Sequence, residues 1–206
     1  MFDLPPPDPG IEIALFSQGM SKGLRQTDGP QIFMRGEVAF GPVYLGAYAK
    51  NVSSPTSDGE AGALVGARHR VGGFDLSASA AWKHAIDPEA GLDDQALELS
   101  AAIGRRIGAV TPRLSIVWSP DDLGGTGRST FAEAGAAWRI APDTNLSAAW
   151  GLREREGGAD YRAFNAGIGH MIAERFTIDV RYYDTDRSAL GEVYEERVVA
   201  SLRARF

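Results

Sequence analysis

The chain has 206 residues, 44% of them hydrophobic and 23% charged, with no cysteine and a formal net charge of −6. This composition excludes a disordered tail, a disulfide framework, a thiolate metal site and a cysteine nucleophile, and the acidic balance argues against nucleic-acid binding. No run approaches the roughly 20 apolar residues of a spanning helix. The opening Met1-Phe2-Asp3-Leu4-Pro5-Pro6-Pro7 shows no cleavable signal, so the expectation is a cytoplasmic chain or a mature form restarted with methionine.

Residues 1–9 read as a Pro-rich extension and 10–206 as one barrel domain. The dominant signal is a period of two. Val43, Leu45, Ala47 and Ala49 alternate with Tyr44, Gly46, Tyr48 and Lys50, and Phe74, Leu76, Ala78, Ala80 and Trp82 alternate with polar or small residues. The pattern predicts twelve strands at about 10–26, 30–40, 43–53, 61–71, 74–85, 94–107, 109–119, 128–140, 145–155, 160–171, 175–185 and 193–206, with ten or fourteen left open. Short turns at Gly41-Pro42, Gly72-Gly73, Gly108, 141–144 and 172–174 alternate with longer loops at 54–60, 86–93, 120–126 and 185–192. Only a hairpin at Thr27-Asp28-Gly29 is short on the long-loop side. An even strand number with short periplasmic turns and longer extracellular loops predicts an all-β, antiparallel transmembrane barrel.

The alternatives are a soluble barrel or sandwich with the apolar face inside. A barrel of about twelve strands is wider than the eight-stranded size that side chains fill, so a soluble version would be hollow. The aromatics also sort to two belts. Phe40, Phe74, Trp138, Phe176 and Phe206 fall near the tight turns, and Trp82, Trp118, Tyr182 and Tyr194 near the long loops. Two membrane interfaces select such belts. The final run Tyr194, Val198, Ala200, Leu202, Ala204 and Phe206 resembles the signal by which outer-membrane barrels are recognised by their insertion machinery.

Ser17-Gln18-Gly19-Met20-Ser21-Lys22-Gly23-Leu24-Arg25-Gln26-Thr27-Asp28-Gly29-Pro30 resembles the opening motif of the TorF family of porin-like proteins, through Ser17, Gly23, Gln26, Thr27, Asp28, Gly29 and Pro30. Lys22 stands where that family has arginine, and Gly19 and Ser21 where it has aromatics. The run Val43 to Val52, ending in Asn51-Val52, is similar to the family's next strand. The resemblance implies an outer-membrane barrel of unspecified substrate.

Parity places Arg35, Lys50, Arg68, Arg70, Lys83, Arg106, Arg113, Arg139, Arg153, Arg162, Arg181, Arg197, Arg203 and Arg205 inward, against Glu12, Glu37, Asp75, Glu98, Glu133, Asp179 and Glu195. The remaining acids, such as Asp58, Glu60, Asp93, Asp94, Asp121, Asp122 and Glu192, are assigned to loops, where they are expected to meet divalent ions that bridge lipopolysaccharide. The predicted pore-lining set is Arg68, Arg70, Arg113, Arg139, Arg153, Arg181, Lys50, Glu133 and Asp179, with the six arginines placed well inside their strands. A basic lumen favours anions. The alternative is that arginines and acids pair into a structural network inside a non-conducting barrel.

Arg105 has outward parity and is expected to snorkel at the rim, and Pro112 to mark a bulge or a strand start. His69, His84 and His170 stand at no metal-ligand or triad spacing, so no enzyme, metal or cofactor is expected. The expected partners are outer-membrane lipid and lipopolysaccharide, and the insertion machinery through the strand ending in Phe206. Oligomerisation is left open, with Ala132, Ala134 and Ala136 as a small-residue stripe.

Overall fold

A computed structural model describes residues 5–54 and 57–206. Twelve strands close into one antiparallel barrel: β1 (Asp8–Phe16), β4 (Gln31–Phe40), β5 (Val43–Ser54), β6 (Ser57–Val71), β7 (Phe74–Ile86), β8 (Gln95–Arg105), β9 (Val110–Asp122), β10 (Gly127–Ala141), β11 (Thr144–Arg155), β12 (Tyr161–Ile172), β13 (Phe176–Thr185) and β14 (Arg197–Arg205). The two-residue strands β2 (Met20–Ser21) and β3 (Leu24–Arg25) form a separate small hairpin. Each barrel strand pairs with its sequence neighbour, and β1 closes on β14 in the register Glu12↔Arg205. Beyond the last strand, Ile11 and Phe206 exchange two backbone bonds of 2.9 Å. Closure matters because an open edge in hydrocarbon leaves backbone groups unpaired at several kcal/mol each.

The period-two sequence decides which face meets lipid. Ile11, Ile13 and Leu15 on β1, Leu114, Ile116 and Trp118 on β9, and Ile178, Val180 and Tyr182 on β13 are all exposed on the outer wall. Water would not tolerate an apolar surface that encircles the molecule. The inward set between them is mostly polar, small or charged, apart from a local apolar cluster at Val117 and Phe131, so the fold is a transmembrane barrel. Phe40, Phe74, Trp138, Phe176 and Phe206 have outward parity at the turn side, and Trp82, Trp118 and Tyr182 at the loop side. Trp150 and Phe164, directly paired on β11 and β12, add outward aromatics. Arg105 also faces outward, opposite Phe74, with its guanidinium 4.9 Å from the ring centroid. That ring and the nearby rim accommodate the charge.

Several expectations change. The first strand stops at Phe16 rather than reaching residue 26, because Ser17 to Gly23 carries two glycines and no alternating apolar residues. Residues 17–30 are therefore a loop, and it folds inward. The 1–9 extension lies partly outside the described residues, as do Pro55 and Thr56 of the expected 54–60 loop; the first strand begins at Asp8. Tyr194 is not an interface aromatic. It sits in the second of two 3-10 turns (Ser188–Leu190 and Glu192–Tyr194), packed edge-on against the lumenal ring of Tyr161 at 5.7 Å. The 3-10 turns delay β14 to Arg197, which also leaves Glu195 in the loop. Arg162 faces outward, because the inward set on β12 is Tyr161, Ala163 and Asn165.

Candidate functional site

The lumen divides by depth. On the turn side lie Arg35, Arg68, Arg70, Arg113, Arg139, Arg203 and Arg205, and their acids are fewer. Glu37 takes Arg68 through two bonds of 2.7 Å and Arg35 at 2.8 Å. Glu12 takes Arg205 at 2.8 Å and Arg203 at 3.4 Å. Asp75 takes Arg70 at 2.6 Å, in an exposed pair at the mouth. The side chains of Arg113 and Arg139 make no hydrogen bond or close ion pair with any described residue, and Arg113 faces Glu133 across a deeper cavity. Arg68, Arg70 and Arg139 stand near the strand ends, so they guard the turn-side rim and not mid-depth, where the sequence pattern put them.

Tyrosines and glycines fix the pose of this basic wall. The Arg68 guanidinium lies 4.0 Å above the buried Tyr44 ring and that of Arg35 lies 5.7 Å away. Tyr44 can lie flat because Gly66 faces it on β6, where an added Cβ would collide with the phenol. Gly62 seats Tyr48 likewise, with a Cβ position 2.5 Å from the ring. A cavity of about 370 Å³ opens beside Glu12, Arg35, Glu37, Arg68 and Arg205. Deeper in, one of about 300 Å³ is lined by Arg113, Ser115, Glu133, Asn165 and Arg181. Arg181 donates to Asp179, Asn165 and Ser147 at 2.7–3.2 Å, so it is held rather than free.

On the loop side the charges are buried and paired. Asp122 accepts from Arg153 at 2.8 Å, Lys83 at 3.0 Å, Ser129 at 3.2 Å and Lys22 at 3.3 Å. Glu98 accepts from Lys22 at 2.6 Å and Lys83 at 3.4 Å. Glu60 accepts from the Tyr48 hydroxyl at 2.7 Å and pairs with Lys50 at 3.3 Å. Lys50 and Arg153 thus face the lumen but are engaged. Glu60 and Asp122, expected in loops, are lumenal instead. For Glu60 the reason is that β6 extends back to Ser57. For Asp122 it is a bulge: Ser119 pairs with Ser129 but Asp122 with Gly127, so β9 takes three steps to β10's two and the parity inverts. Pro120, inside that extra stretch, was the available sequence signal.

Residues 17–30 complete the site. At its base, Thr27 is fully buried, taking the Gly19 N–H at 2.7 Å and donating to the Gly29 carbonyl at 2.6 Å. Gln26 is tied to β5 by Ser53 N–H at 2.8 Å and Lys50 at 2.8 Å, and Asn51 bonds the backbone of Ile32 and Pro30. At its tip Lys22 (φ 52°) and Gly23 (φ 86°) form the two-residue turn between β2 and β3. Glycine is needed at 23 both for that left-handed backbone and because a Cβ would strike Ala163. The Tyr161 hydroxyl donates to the Lys22 carbonyl at 2.7 Å, and Leu24 packs on Phe131, Tyr161 and Ala163. The loop starts between β1 and β4 and docks on β8, β9 and β12, across the barrel.

No protein-family model and no curated protein matches the sequence. Solved structures do match the fold. A KdgM porin shares it at TM-score 0.63 and 7% identity, over 96% of this chain and 98% of that one, and a KdgM porin in complex with disordered oligogalacturonate matches at 0.63 and 6%, with the same coverage. A NanC porin matches at 0.59 and 7% identity, over 95% and 97% of the two chains. The COG4313 outer membrane channel from Pseudomonas putida F1 matches at 0.51 and 12%, over 100% and 96%. The chain is thus similar over its whole length to porin-like outer-membrane barrels, and the likeness is one of fold.

Proposed function

We propose that this barrel is an outer-membrane channel of Gram-negative bacteria for passive diffusion of small hydrophilic solutes, with a preference for anions. One observation carries the preference. In the turn-side half, Glu37 and Glu12 are each shared by two arginines, Arg139 pairs with no acid among the described residues, and Arg113 faces only Glu133 across the deeper cavity without a close ion pair. Uncompensated cations in a narrow polar bore replace part of an anion's hydration and repel cations. The KdgM porin in complex with oligogalacturonate, a polyanion, supports the same reading by analogy of fold. On this reading the chain is a member of the TorF family, whose opening motif residues 17–30 resemble. The support for this membership is that Thr27, Gln26 and Gly23 each have a mechanical task in the in-folded loop.

Lipid and lipopolysaccharide are the surrounding partners on this reading, and the terminal strand with Phe206 is the insertion signal. The reading assigns no catalysis: His69, His84 and His170 all sit at outward positions, away from the lumen. The competing reading, a non-conducting structural barrel, is favoured by the loop lodged in the bore. Reversal potentials in planar bilayers under a salt gradient decide between them. Anion selectivity is expected, reduced by Arg113→Gln and Arg139→Gln. Cation selectivity refutes the preference, and the absence of any conductance refutes the channel.

A further inference from the structure

We infer that residues 17–30 are the constriction of this channel and that Lys22 at its tip is the specificity-determining residue; the inference rests on the channel reading above. Dimensions come first. Twelve strands about 4.8 Å apart and tilted about 40° give a backbone diameter of roughly 24 Å, and inward side chains leave a bore of roughly 12 Å. A two-stranded hairpin with its side chains is about 10 Å across. The hairpin of β2 and β3 therefore occupies most of the lumen at its level, and any solute must pass beside it.

The tip is held and not merely resting there. Lys22 reaches Glu98 at 2.6 Å and Asp122 at 3.3 Å on the far wall, the Tyr161 hydroxyl clamps its carbonyl at 2.7 Å, and Leu24 is packed on the Phe131 cluster. Electrostatics assigns Lys22 its role. Without it, the buried ring pairs Lys50, Lys83 and Arg153 with Glu60, Glu98 and Asp122, three cations against three acids. With it the ring holds four against three, so the loop supplies the excess positive charge at the narrowest level. The basic turn side then serves as the vestibule that concentrates anions toward this point.

Three variants test the inference by single-channel recording at about 0.1 M salt, where the screening length of roughly 10 Å still spans the bore. One replaces residues 20–25 by a short glycine link, one is Lys22→Glu, and one is Lys22→Arg. Heat-modifiable gel mobility reports that each barrel is folded. The expected results are a several-fold rise in conductance for the loop-shortened variant, a reversal potential shifted toward cations for Lys22→Glu, and little change for Lys22→Arg. Should the wild type conduct and the shortened variant conduct equally, solutes bypass the loop, and the constriction is refuted while the channel stands. A raised conductance with an unmoved potential in Lys22→Glu refutes the role of Lys22. If neither the wild type nor the shortened variant conducts, the channel reading fails and takes the constriction with it. Should the shortened variant not fold, the two point variants decide the matter, since neither removes backbone.

Discussion

Replacing Asp122 by asparagine removes one buried negative charge and keeps the shape of the side chain. In the native protein this carboxylate is shared by Lys22, Lys83 and Arg153, with Ser129 completing its shell. Arg153 is the most exposed to loss. It is 4% accessible, and its Nε and Nη1 have no hydrogen-bond partner among the described residues. A charge pair at about 4 Å and an effective dielectric near 20 is worth roughly 4 kcal/mol before desolvation, and breaking a buried pair typically costs about 3–5 kcal/mol. The ring would go from four cations and three acids to four and two. Asp122→Asn is therefore expected to lower the unfolding free energy by about 3–5 kcal/mol. Glu156→Gln, which breaks the exposed Arg128–Glu156 pair of 2.6 Å, should cost no more than about 1 kcal/mol. Urea unfolding in detergent micelles, followed by gel mobility and tryptophan fluorescence, measures both. Adding Lys22→Met to Asp122→Asn should recover part of the loss, because it removes one stranded cation. Equal losses for Asp122→Asn and Glu156→Gln, or strict additivity of the double variant, would refute the buried-network argument.

Three further outcomes are expected. Thr27→Val removes a fully buried hydroxyl that serves both Gly19 and Gly29, at about 1–3 kcal/mol; trypsin should then cut at Lys22 or Arg25 in vesicle-embedded protein that is otherwise resistant. Gly66→Ala should cost about 1–3 kcal/mol by displacing the Tyr44 ring, while Gly36→Ala, with open space around its Cβ position, should change unfolding by less than about 0.5 kcal/mol. Leu99→Arg, outward at mid-barrel, should cost about 2–4 kcal/mol. Arg105→Leu, at the rim over Phe74, should stay within about 1 kcal/mol, and urea titration of the pair checks this depth dependence.

The wall of the barrel was legible because one physical constraint governs every residue of it. Each strand must show lipid on one side, so Leu114, Ile116 and Trp118 could not be placed otherwise once their period was seen. The constraint vanishes where a residue is shielded from lipid. The hairpin within Ser17 to Pro30 turns into the barrel, where alternation has no consequence, and the polar run of this loop looked like the end of a strand. Tyr194 misled for the same reason: an aromatic near a rim can serve the lipid interface or, as here, cover the lumenal Tyr161. Parity also fails silently at a bulge. One extra residue at Pro120-Asp121 turned Asp122 inward, and no period can register a shift that happens once.

The charge pattern explains why the inward loop belongs to this barrel. A twelve-stranded wall encloses more space than its own side chains can fill. In the turn-side half that space is left to arginines that exceed their acids, an arrangement sustainable only if water or mobile anions compensate them. In the loop-side half the acids Glu60, Glu98 and Asp122 are buried and need cations at close range. Lys50, Lys83 and Arg153 from the wall match those three acids, and Lys22 adds a fourth cation across the bore. Thus the turn-side half stays wide and hydrated, while the in-folded loop narrows the loop-side half and shields its ion pairs. Shortening 17–30 should for this reason do more than widen a pore. Water would enter the Glu98–Asp122 pocket, and the ion pairs of Lys83 and Arg153 would become salt-sensitive. Stability should then fall between 0.1 and 1 M salt, on the order of the Debye-length change from about 10 to 3 Å, only in the shortened variant. A wild type with the same salt dependence would show that the loop does not shield these pairs.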